Sequence, residues 1–305
     1  MNAFIIGNGF DLAHGLPTSY SDFHSYLLEQ FPNLNTNCMY VPTPAIGHHG
    51  EDVVSEEDTA SLLCYLLNGV CGDDWKEFEN ALGEIDLLEC FDDLEEVYDR
   101  DGERNLWHEA YNNEDRASDL LCVIPMIKVF FSEWIESVEP ANKKMKGFSK
   151  LIDPENDLFI TFNYTHTLEE LYGCKKVIHM HGEVGQEIIV GHNGIKNYTE
   201  ENSSIPIGCY DSLQNIYDGL RKNTDEVISE HYGEIKGISD CEKIYSYGFS
   251  YSDVDIPYIK VICELVKNEK VSWLFNDYDA NKIEHYKEIV SKNGFCGEFS
   301  RYSIK

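Results

Sequence analysis

The chain has 305 residues, a formal net charge of −31 and 42% hydrophobic residues. That is length for one large domain or two modest ones and apolar content for a real core. The acidic surplus argues against a nucleic-acid binder, which needs basic surface to displace counterions.

The opening MNAFIIGNGF lacks the basic start and long apolar run of a signal peptide. It reads as the first core strand, residues 2–6, of a cytoplasmic protein. No apolar run approaches the length of a membrane span, so no membrane partner is expected. Residues 20–30 suit a helix, with Phe23, Tyr26 and Leu27 at helical spacing. Residues 32–57 are loop-like, punctuated by Pro32, Pro42, Pro44 and the Gly47-His48-His49-Gly50 turn, whose histidines are expected in solvent. From 58 to 140 the pattern is helical throughout; WKEFENALGEI sets Trp75, Phe78 and Leu82 on one face, and Pro125 is placed to kink a long apolar helix. Strand patterns return at 157–162, 176–180, 187–190, 242–247 and 270–275, with helices at 164–172, about 210–231, 253–267 and 279–293. The ten cysteines are scattered, without a C-x-x-C pair, and read as reduced, mostly buried thiols rather than a zinc ribbon.

Strands alternating with helices imply an α/β, Rossmann-like, mostly parallel sheet. Residues 1–31 and 151–305 would form this nucleotide-binding domain, and 32–150 a large α-helical insertion or cap. In such a sheet ligands bind beyond the carboxyl ends of the strands. The unusual residues lie there: Gly7-Asn8-Gly9 with Asp11, Asn163-Tyr164-Thr165, His181-Gly182, Gly248-Phe249-Ser250 followed by Asp253 and Asp255, and Asn276-Asp277. Gly7-Asn8-Gly9 is either a tight structural corner or a turn that brings backbone N–H groups to a phosphate. His179 and His181 form an H-x-H pair with no evident third ligand, so no metal is expected. Glu79 of WKEFE either reaches the site or follows Trp75 and Phe78 into helix packing. Capping suits one of Asp253 and Asp255.

The stretch GNGFDLAHGLP carries glycines at its first, third and ninth positions, then an aliphatic residue and proline. It resembles the sirtuin fingerprint G-A-G-x-S-x-x-x-G-I-P; TFNYT resembles T-Q-N-I-D, HMHGE the segment of the sirtuin catalytic histidine, YGFSYSD the G-x-S turn and FND the I-N turn. The closer resemblance is to the AbiH family of phage abortive-infection proteins, through IIGNGFDLAHGLPTSYSDF, WKEFE, FNYTHTLEELY, HMHG and GFSYSDVD, from residue 4 to about 290. Departures from the sirtuin pattern are Thr18-Ser19-Tyr20 in place of Asp-Phe-Arg, Phe162 and Thr165 within T-Q-N-I-D, and the missing zinc cysteines, so deacetylation is not implied.

What the resemblance implies is a Sir2-like site for NAD or a related nucleotide. His181 would be the general base and Asn163 would hold the nicotinamide ribose or a water. Gly7 and Gly9 would reach the pyrophosphate, Gly248 and Ser250 the phosphates or adenosine ribose, and Asn276 that ribose. Asp11 would orient a backbone group or a hydroxyl, and Asn8, Pro17, Thr18, Thr165 and Asp253 complete the cofactor-binding set. The expected activity is NAD glycohydrolysis in phage defence, with a phage-derived trigger or a second copy of the chain as partner. Two alternatives stand beside it: a nucleotide-sensing module without catalysis, and a metal-dependent nucleotide hydrolase or nuclease should Asp11, Glu79, Asp253 and Asp255 converge.

Overall fold

The computed structural model describes residues 1–72, 74–198, 205–267 and 270–304; residue 73, inside the tract expected to be helical, lies outside them. In chain order the elements are β1 (Asn2–Ile6), α1 (Gly9–Ala13), α2 (Tyr20–Gln30), a small hairpin of β2 (Ala45–Ile46) and β3 (Asp52–Val53), α3 (Glu56–Cys71), α4 (Phe78–Glu84), α5 (Leu106–Val123), α6 (Met126–Ser137), α7 (Lys146–Leu151), β4 (Leu158–Thr161), β5 (Val177–His179), α8 (Tyr210–Gly219), α9 (Thr224–Ile235), β6 (Lys243–Tyr247), α10 (Ile256–Leu265), β7 (Ser272–Asn276), α11 (Ile283–Lys292) and β8 (Glu298–Tyr302).

The main sheet is six-stranded and parallel throughout, in the order β5-β4-β1-β6-β7-β8. Counting only its own strands this is the order 3-2-1-4-5-6, a Rossmann-like α/β fold whose switch point falls between β1 and β6. Alternation along the strands divides the core into two faces. Phe4 stacks between Phe159 and Tyr245, its neighbours in register, at centroid distances of 5.0 and 4.9 Å. On that face Phe10, Phe148 and Tyr172 close the cluster. Ala3, Ile5, Ile160 and Ile244 face the other way, onto Val227 and Ile235 of α9 and Ile259 and Ile262 of α10.

The chain divides into two compact units: residues 1–19, 134–189 and 223–305 hold the sheet, and residues 20–133 with 190–222 are mainly helical. In the helical unit Trp75, Phe78 and Phe131 stack in series, with His24 on the far face of Trp75. The Trp75 indole N–H donates to Asn68 Oδ1 at 2.7 Å. Trp75 itself lies ahead of α4 with φ +46°, a left-handed conformation that its buried ring and indole bond hold in place.

The sequence pattern overextends several elements. The tract 58–140 is not one helical run, because residues 92–105 carry no helix and the chain breaks at Ile124-Pro125, where proline has no N–H to give. Of residues 164–172 only Thr167–Leu171 is helical, as a π-helical turn, and 210–231 splits into α8 and α9. Residues 187–190 do not join the sheet: the Ile189 N–H donates to His181 O at 2.8 Å, folding this segment back over the end of β5. The edge strand β8 goes unforeseen; it is half-exposed and carries little apolar pattern. All ten cysteines are free, six of them buried. Among the described residues no helix is long and apolar enough to cross a membrane.

Candidate functional site

The GNGFDLAHGLPTS stretch folds as one closed element in the sheet-bearing unit. After β1 the chain turns into the short α1, and the Leu16 N–H returns to the Asp11 carbonyl at 3.1 Å. Asn8 and Thr18 then lock reciprocally: Asn8 Nδ2 donates to Thr18 O at 2.6 Å and Thr18 Oγ1 to Asn8 Oδ1 at 2.7 Å. Pro17 is exposed.

The glycines of this turn answer to the turn after β6. The Gly7 N–H donates to Tyr247 O and the Gly9 N–H to Gly248 O, each at 3.0 Å. A methyl on Gly9 would lie 2.6 Å from Gly248 Cα, and one on Gly7 2.5 Å from Phe249 Cα. Gly248 has φ +64° and faces the Gly9 backbone in return. Glycine is therefore required here by backbone approach at the switch point. This corrects the expectation that these two N–H groups serve a phosphate: both are spent on carbonyls of the protein. Gly248→Ala, which meets both the left-handed backbone and the Gly9 contact, should cost about 1–3 kcal/mol and lower the urea midpoint accordingly.

Buried polar atoms without a hydrogen bond remain past β7, at Asn276 Nδ2, and on the β4–β5 side. Asp11 is 1% exposed, and Thr165 Oγ1 donates to its Oδ2 at 2.7 Å while Oδ1 is buried without a partner. Burial lifts this carboxyl from 3.8 to about 6, against the pull of Thr165, Thr167, Asn163 and the His179 charge. Asn163, just past β4, is 4% exposed. Its carboxamide is near enough to act on Asp11, yet neither Oδ1 nor Nδ2 makes a hydrogen bond of ordinary geometry. The two polar groups that carry these three uncommitted atoms cost the fold about 1–3 kcal/mol each, a cost that a ligand or an ordered water would relieve.

His181, two residues beyond β5, is 4% exposed among Phe162, Tyr164 and Tyr258, with Nε2 3.5 Å from Asp255 Oδ1. Asp255 stands at the N-terminal boundary of α10 and accepts from Ser252 Oγ at 3.0 Å through Oδ2. Gly182, φ +77°, lets the Glu187 carbonyl press against the turn that presents His181; any Cβ would collide with it.

Other predicted site residues have different surroundings. Asn276 Oδ1 accepts from the Tyr278 N–H at 2.9 Å and so caps a short turn after β7. Ser250 and Asp253 are exposed. Glu79 belongs to the helical unit, where it is ion-paired with the fully buried Lys222. Among the described residues no three acidic, histidine or cysteine side chains gather in a way that would hold a metal ion.

Some residues were missed as contributors. His14 Nδ1 donates to Phe10 O and its Nε2 faces Tyr172 Oη, both at 2.7 Å, and the Met145 N–H donates to the same phenol. Burial lowers the His14 pKa despite the Phe10 bond, which suits a neutral ring accepting from Tyr172. Thr167 and Glu169 of the π-helical turn are also part of the polar cluster. The only signal for them was their place in FNYTHTLEELY.

No curated protein and no solved structure matches the chain. The family described as Bacteriophage abortive infection AbiH matches residues 3–277, and with so much of the sequence covered the protein belongs to the AbiH family, whose role is in bacteriophage abortive infection.

Proposed function

We propose that this AbiH protein is a Sir2-like enzyme that cleaves the bond between nicotinamide and ribose in NAD, depleting the dinucleotide in the cytoplasm of an infected cell. The observation that carries the proposal is the Asn163 carboxamide, buried and unpartnered beside the open oxygen of Asp11 at the carboxyl edge of the sheet. An amide offers one donor and one acceptor face, and the carboxyl adds a further acceptor, a set that suits ribose hydroxyls.

The chemistry asks little of the protein. Departure of nicotinamide leaves positive charge on the ribose, which nearby carboxylates and a chain of net charge −31 favour. His181 takes a proton from the attacking water or from a ribose hydroxyl, and Asp255, 3.5 Å away, favours the imidazolium so formed. The apolar wall of Phe162 and Tyr258 limits bulk water around that ring. With the Gly7 and Gly9 N–H groups engaged internally, the phosphates of the dinucleotide are left to other donors. The activity is held off until infection, when a phage-derived trigger or self-association releases it.

The NAD content of infected cells, with nicotinamide release by the purified protein, tests this. Wild-type cells should lose NAD on infection, and His181→Ala should slow release about a hundredfold. Undiminished NAD in cells that still abort infection, or loss unaffected by His181→Ala, refutes it. A second possibility, a nucleotide sensor, rests on Thr165 occupying one oxygen of Asp11; tight binding of NAD without release is its mark.

A further inference from the structure

Asn163 lies beyond the reach of the sheet ladder. The Phe162 N–H makes the last β4 bond to β1, donating to Ile6 O at 2.8 Å. Past that point a loop residue is ordinarily free to move, yet both backbone groups of Asn163 are held by side chains. Its N–H donates to Thr161 Oγ1 at 3.1 Å, and its carbonyl accepts from His179 Nδ1 at 3.0 Å. His179 is in reach because β5 places it in register with Thr161. The other nitrogen, Nε2, faces Glu169 Oε1 at 2.9 Å and Glu183 Oε2 at 3.6 Å. Glu183 is in turn 3.0 Å from His166 Nε2.

We propose that His179 is a positioning residue for Asn163: it grips the Asn163 carbonyl through Nδ1 and is itself braced on Glu169 through Nε2, which keeps the Asn163 carboxamide presented to the ligand. The functional half of this statement rests on Asn163 being the ligand-holding residue, as above. A carbonyl has no hydrogen to give, so Nδ1 carries one; Nε2 faces carboxylates, so it carries one too. The ring that does the positioning is the imidazolium. Burial opposes that charge, but the Glu169 hydrogen bond and charge, the Asn163 carbonyl and Glu183 outweigh it, and the His179 pKa stands above 6.5. The titratable groups around it are Glu169, Glu183, His166 and Asp11. Raising the pH through the His179 pKa removes one N–H, turns a lone pair toward either the carbonyl or the carboxylate, and loosens Asn163.

The test uses the full chain labelled with ¹⁵N at histidine and asparagine side chains. At pH 6 His179, identified by its loss in His179→Gln, should give the imidazolium pattern and lose it as the pH rises. His179→Asn, whose amide nitrogen falls near the position of Nδ1, should leave the Asn163 side-chain signal in place; His179→Gln, whose reach matches Nε2, should displace it. Nicotinamide release by the wild type should fall about tenfold across the His179 titration, and the His179→Asn profile should be flat there. A neutral His179 ring at pH 6, or an Asn163 signal indifferent to His179→Gln, overturns the proposal. The nitrogen signals are read without nucleotide, so a protein that shows them yet ignores NAD refutes the NAD proposal and not the hold on Asn163.

Discussion

Asn163→Ala leaves the unfolding free energy within about 1 kcal/mol of wild type at pH 7 while lowering nicotinamide release about a thousandfold. Truncating a buried asparagine ordinarily destabilises, because it removes packing and hydrogen bonds together. Here the carboxamide makes no hydrogen bond in the folded chain, so its removal recovers the desolvation cost of two unsatisfied atoms, about 1–3 kcal/mol. Lost contacts in a small void offset that gain, and the two nearly cancel. Release falls because a preorganised polar group aimed at the reacting sugar is of the kind whose loss costs about 10²–10³ in rate. Urea unfolding and nicotinamide release, measured on one preparation, separate the outcomes. A variant that loses several kcal/mol of stability would identify Asn163 as a structural residue. One that keeps full release would remove it from the site.

How far the sequence carries this picture depends on what each residue answers to. Phe4, Ile5 and Ile160 answer to the sheet, and their apolar runs are enough to place β1 and β4 and to anticipate a parallel α/β core. The position of Asn163 and His181 just past strand ends is legible for the same reason, and strand ends are where ligands bind in such folds. Gly7 and Gly9 are legible as a turn but not in their cause. Only three-dimensional pairing shows that the second glycine turn, at Gly248, excludes a Cβ from the first. The engagement of their N–H groups follows from the same pairing. His179 and Glu169 are ten residues apart in sequence on unlike elements, so nothing in either segment alone signals that they meet. The segment 187–190 has strand-like residues, but its backbone bond goes to His181, and tertiary contact overrides the local pattern.

Asp11→Asn stabilises the protein at neutral and alkaline pH, and the gain disappears in acid. The Asp11 carboxyl titrates near 3.8 in the unfolded chain and at about 6 in the fold, where burial outweighs its hydrogen bonds. Below about pH 3 both states hold the proton and the carboxyl makes no difference. Between 3.8 and 6 the unfolded chain ionises first, the folded state binds more protons, and stability falls as the pH rises. Above that window the whole penalty is present, about 3 kcal/mol. The carboxamide of the variant still accepts from Thr165 Oγ1 and carries no charge to desolvate, so the variant should gain about 2–3 kcal/mol at pH 8 and converge on wild type near pH 3. Chemical denaturation across pH 3–8 reads this directly. A variant less stable than wild type at pH 8 would mean that the ionised carboxylate is compensated in the fold, and the open oxygen of Asp11 would then have no claim on a ligand. A stabilised variant that no longer responds to NAD marks Asp11 as a group kept at the expense of folding for the sake of the site.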